Sequence, residues 1–114
     1  MCSHAILNEI TTKIVQVSKE KLGDKLDKVI LYGSYARGDY DNESDIDIMV
    51  LADIPRESCG DEYKKINTFV SRLGLEYDVM VSVDIIDTMT FYKYINDLPF
   101  YMNVQREGVV LGVQ

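Results

Sequence analysis

Two apolar runs, Lys28 to Tyr32 (KVILY) and Asp45 to Leu51 (DIDIMVL), stand on either side of a polar turn that holds Gly33 and Gly38. The first run is β-branched and stops at Gly33, and the second alternates acid with aliphatic before becoming continuously apolar. Both patterns predict strands. Apolar residues at three- to four-residue spacing predict a helix from Ser3 to Leu22, with Ser3 as N-cap, Ile6, Leu7, Ile10, Ile14, Val17 and Leu22 on its apolar face, and Gly23 as its stop. A second helix is expected over Asp61 to Leu73, ended by Gly74, and a third strand over Tyr77 to Ile86, with Val79, Val81 and Val83 on one side. Asp87 or Thr88 caps a short helix through Ile95, Pro99 opens another that runs to Glu107 and stops at Gly108, and Val109 to Val113 forms an edge strand. The order is that of an α/β (α+β) fold, a small mixed sheet with helices packed on it, whose strand order stays open.

With 114 residues, 46% of them apolar, the chain has room for one modest core, so residues 1–114 are read as a single domain with no separate substrate domain. Twelve basic residues against nineteen acidic ones give a net charge of -7, and no basic cluster offsets a phosphate backbone, which speaks against direct nucleic-acid binding. His4 is the only histidine and Cys2 and Cys59 form no close pair, so zinc hydrolysis, a Cys-His pair and a Ser-His-Asp triad are all disfavoured. No basic leader and no apolar run of membrane-spanning length is present, and the expectation is a soluble cytoplasmic protein.

The chemistry is concentrated in residues 33–47 (GSYARGDYDNESDID). Asp45 and Asp47, two apart on a strand, emerge on one face while Ile46 and Ile48 point to the other. Unpaired, the two carboxylates repel each other, whereas a hard divalent cation such as Mg2+ is well matched by carboxylate oxygens and keeps positions open for phosphate. Gly33 and Ser34, directly after a strand, read as a phosphate cradle of backbone N–H groups and a hydroxyl. A P-loop is excluded because Asp39 stands where the phosphate-binding lysine belongs, and an EF-hand because Ser44 replaces the turn glycine and Val50 the bidentate glutamate. For a third carboxylate the strand over 77–86 offers Asp78 and Asp84. Asp78 is preferred, since it begins its strand as Asp45 begins its own, and Asp84 and Asp87 are read as loop or cap residues. Tyr35 and Tyr40 near the turn could stack on a base, but a tyrosine near a turn is more often simple packing, and neither is counted among the site residues.

In Gly33, Ser34, Ala36, Arg37, Gly38, Ser44, Asp45 and Asp47 the chain resembles the minimal nucleotidyltransferases of the polymerase-beta-like superfamily, whose pattern is Gly-Ser, ten residues, Asp-x-Asp. The resemblance implies the fold of that superfamily, ATP as substrate and two Mg2+ ions. It implies metal ligation and catalysis by Asp45, Asp47 and Asp78, and nucleotide binding by Gly33, Ser34, Arg37 and Ser44. Stand-alone members of this family are typically encoded with a helical HEPN ribonuclease toxin and act as its antitoxin, in some cases by transferring AMP from ATP to a tyrosine of the toxin. Such a toxin is therefore the implied partner. Transfer to a small molecule such as an aminoglycoside is the alternative activity, and a non-catalytic antitoxin that covers its partner is the alternative without chemistry.

Overall fold

In the computed structural model, which describes residues 3–113, Ser3 opens α1 (His4–Leu22) by accepting the Ile6 N–H on its Oγ at 3.2 Å. Cys2, which forms no close pair with Cys59 in the sequence, lies outside the described residues. The buried hydroxyls of Thr11 and Ser18 donate back to the carbonyls of Leu7 (2.9 Å) and Ile14 (2.8 Å), so the apolar face of α1 buries no orphaned donor there. Beyond α1 come β1 (Leu26–Tyr32), the one-turn α2 (Ser34–Arg37), β2 (Ile46–Ala52), α3 (Cys59–Tyr77), β3 (Val81–Asp87), α4 (Thr88–Tyr94), α5 (Pro99–Glu107) and β4 (Val109–Val113). None of the described helices is long and apolar enough to cross a membrane.

The sheet order is β3-β2-β1-β4, with β2 parallel to β3 and β1 antiparallel to both β2 and β4. On one face Val29, Leu31, Ile46, Ile48, Val50, Val83 and Ile85 meet Ile10, Ile14, Ile66 and Val70 of α1 and α3. On the other, Ile30, Met49 and Leu51 meet Phe91, Ile95 and Val104, which α4, its C-cap and α5 supply. Central and covered on both sides, β2 has to be apolar at almost every position. Its exception is Asp47, which shares the face of Met49 and Leu51 and lies at the strand's open end.

The segment between α3 and β3 departs from expectation. Gly74 does not end the helix: α3 runs on to Tyr77, and Gly74 is there because a Cβ would press on the Val79 carbonyl oxygen at 2.7 Å. The helix ends instead at Asp78, which adopts the left-handed conformation (φ 55°, ψ 48°), and the Val79 N–H bonds back to the Gly74 carbonyl at 3.0 Å. The third strand consequently starts at Val81, four residues later than the valine alternation suggests.

Candidate active site

The site begins where β1 stops. Gly33 takes φ 76° and ψ -156°, a backbone region essentially closed to other residues, and turns the chain into α2. A side chain here would also collide with the Asp47 carboxylate, so the glycine lets backbone and carboxylate share one small space. The N–H groups of Ala36 and Arg37 bond to the Gly33 carbonyl (both 3.1 Å), and Gly38, left-handed at φ 86°, closes the turn on Ser34 (2.8 Å).

Three carboxylates from two stretches of chain lie within each other's electrostatic reach beside this turn. Asp47 is the direct cross-strand partner of Tyr32 and sits opposite Ser82 on β3. Asp45 stands two residues earlier, just before β2. Asp84 lies two residues beyond Ser82, about 7 Å at strand rise, on the same face as Asp47. Burial, followed by the charges of Asp45 and Asp84, raises the Asp47 pKa, and the Arg37 guanidinium opposes the rise. Tyr32 reaches across β2 and donates its hydroxyl to Asp84 Oδ2 at 3.1 Å. Its own pKa is raised, by burial first and then by the charge and hydrogen bond of Asp84 and the charge of Asp47.

Asp78 is not on the strand and does not take the place expected of it. It caps α3 and lines a cavity of about 390 Å³ with Val70, Ser71, Leu75 and Met80, beside the helix and away from the Asp47 face. The carboxylate that the structure brings to Asp47 is Asp84. β2 and β3 pair in parallel with Ile46 set against Val81, so the face shared with Asp47 reaches Asp84 before the strand ends. Asp87 is a cap, as expected: its Oδ2 accepts the Thr90 N–H at 2.9 Å.

Residues 12–111 match the family model described as the nucleotidyltransferase domain. The chain belongs to the nucleotidyltransferase-domain family. Two proteins of Methanocaldococcus jannaschii, each named a putative protein adenylyltransferase, are similar to it. One is 43% identical over 81 residues, covering 70% of this chain and 79% of the relative, and the other is 36% identical over 99 residues, covering 87% and 91%. Among solved structures, a toxin-antitoxin with AMP-PNP superposes with a TM-score of 0.52 at 21% identity, over 90% of this chain and 73% of that one. A mutant of the toxin-antitoxin MntA-HpeT superposes with a TM-score of 0.53 at 22% identity, over 90% and 72%. At these identities the likeness shows the fold.

Other side chains of this nucleotidyltransferase turn are engaged locally. Arg37 pairs with Asp39 (3.1 Å) and reaches Glu107 at the end of α5 (3.5 Å), so it ties α2 to α5 beside Asp47. The Ser44 hydroxyl donates to Asp41 Oδ1 (3.2 Å) and accepts the Asp41 N–H (2.9 Å), which closes the loop before β2. Tyr35 is buried and stacks on Tyr40 with ring centroids 4.2 Å apart, so the pair packs the turn. Among the described residues no three His, Cys, Asp or Glu side chains are gathered tightly enough to hold an ion as they stand. Mg2+ does not demand such a cage, since one or two carboxylates plus substrate phosphates commonly hold it. The donor set fits it: carboxylate oxygens on a face where Asp47 bears the repulsion of two neighbours.

Proposed function

We propose that residues 1–114 act as one minimal nucleotidyltransferase domain that, with Mg2+, transfers AMP from ATP to a tyrosine hydroxyl of a HEPN-type partner toxin in the cytoplasm and so acts as its antitoxin. The observation that carries this reading is the placement of Asp47 against the Gly33 turn, where it ionises against partial burial first and then against the charges of Asp45 and Asp84. The relatives named as protein adenylyltransferases support a protein acceptor, and the toxin-antitoxin neighbours, one of them with AMP-PNP, support the partner and the nucleotide.

Asp45 and Asp47 would hold the metal, two ions in the full site, with Asp84 beside them as the proton acceptor. When bound, Mg2+ neutralises charge on the triphosphate and orients it. The Gly33–Ser34 turn and Arg37 receive the phosphates, Arg37 exchanging Asp39 and Glu107 for phosphate oxygens. The acceptor oxygen attacks the α-phosphorus, the bond to pyrophosphate breaks, and the acceptor proton passes to Asp84 Oδ1, the oxygen that Tyr32 leaves unengaged. The test is the intact mass of the protein encoded by the adjoining reading frame after incubation with this chain, ATP and Mg2+. One or more added adenylyl groups on a tyrosine are expected. An unmodified protein beside an efficiently adenylylated aminoglycoside would overturn the reading.

A further inference from the structure

The hydrogen bond from Tyr32 to Asp84 spans the width of the site, from β1 across β2 to β3, and the transfer chemistry above does not require it. Asp84 is exposed on an edge strand, and among the described residues its carboxylate takes no other hydrogen bond. An aspartate so placed exchanges among its staggered rotamers unless something holds it. Tyr32 is suited to hold it, because its ring is fixed from two sides. One side packs against the cluster of Ile30, Met49 and Phe91, and Phe100 of α5 meets the ring edge-on with centroids 5.6 Å apart and an interplanar angle of 78°. The backbone of Tyr32 is fixed as well, paired to Asp47 on one side and followed directly by the constrained Gly33.

We propose that Tyr32 is a positioning residue of the transfer reaction: its hydroxyl holds the Asp84 carboxylate in the one rotamer that meets the acceptor hydroxyl, and Phe100 holds the Tyr32 ring where it can do so. The inference rests on the assignment of Asp84 to the site under the proposed function. It gives α5 a part in catalysis, since Phe100 at its first turn touches the ring that touches the carboxylate, while Glu107 at its far end meets Arg37. A hydrogen bond to a charged group that acts in the transition state is worth about tenfold or more in rate, and its loss falls on kcat while nucleotide affinity stays put.

Tyr32→Phe removes the hydroxyl and keeps the ring, its packing and the Phe100 contact. Three-bond couplings of the Asp84 β-protons, measured by NMR on the full chain, are expected to show a single χ1 rotamer in the parent and averaging in Tyr32→Phe. Transfer from ATP and Mg2+ to the protein of the adjoining frame is expected to lose about tenfold in kcat with an unchanged KM for ATP. Phe100→Ala should move both readouts the same way, less far. Averaged couplings in the parent, or couplings unaltered by Tyr32→Phe, overturn the positioning role without any acceptor present. So does parental kcat in Tyr32→Phe beside a crippled Asp84→Asn. If Asp84→Asn itself transfers at the parental rate, the assignment of Asp84 fails and the inference falls with it.

Discussion

Asp47 bears the energetic strain of the site, since partial burial and two neighbouring carboxylates disfavour its charge and, among the described residues, only Arg37 favours it. With a folded-state pKa above its unfolded value, Asp47 takes up its proton more readily in the native state. Its contribution is therefore most favourable below the ordinary carboxylate range and is lost as pH rises through the raised pKa. Asp47→Asn should accordingly raise the melting temperature at neutral pH by about 2 °C, a figure kept small because the group is only half-buried and water screens its neighbours, and the gain should vanish toward pH 3. The same variant should lose transfer by about a hundredfold or more, so calorimetry across pH and a transfer assay would show stability and activity moving in opposite directions. Gly33 makes the complementary case. Gly33→Ala must accommodate both a glycine-only backbone region and a clash with the Asp47 carboxylate, and it should lose about 3 kcal/mol of stability by urea unfolding, together with transfer.

At the scale of elements, α1, α5 and β4 were legible in the sequence to within a residue, because each begins or ends on a residue with a mechanical reason to be there: Ser3, Gly23, Pro99 and Gly108. The turn at Gly33 and the bounds of β2 were legible as well, to within a residue. The α3–β3 junction was not. Gly74 carries a stop signal but is used for close approach to Val79, and the alternation of Val79, Val81 and Val83 continues the strand pattern backward through a cap. Asp78 and Asp84 share one parity, so alternation alone cannot separate them; the register of β3 against β2 does. A clue was present in length, since a ten-residue strand over 77–86 outruns the seven residues of β2 beside it. This junction gives a paired expectation in urea unfolding. Gly74→Ala, which in an open helix would gain up to about 1 kcal/mol, should instead lose about 1 kcal/mol against the Val79 carbonyl, while Asp78→Gly, suited to the left-handed cap, should be neutral or stabilising.

For the molecule as a whole, the two faces of the sheet have different tasks. The face under α1 and α3 carries the larger buried cluster, and the other, only partly covered by α4 and α5, is left open where Asp47, Tyr32 and Asp84 meet. A site in which repelling carboxylates await a cation should make folding and ligand binding strongly linked. ATP with Mg2+ at ten times its Kd should raise the melting temperature by about 6 °C, and Asp45→Asn or Asp47→Asn should abolish most of that shift. We propose as catalytic carboxylates Asp45, Asp47 and Asp84, the last brought to the face of Asp47 by parallel pairing of β2 with β3. The most direct test is mass-resolved adenylyl transfer by Asp84→Asn and Asp78→Asn, each verified as folded, under identical ATP and Mg2+. Transfer is expected to fall about a hundredfold or more in Asp84→Asn and to stay nearly parental in Asp78→Asn; an active Asp84→Asn beside a dead, folded Asp78→Asn would contradict the assignment of Asp84.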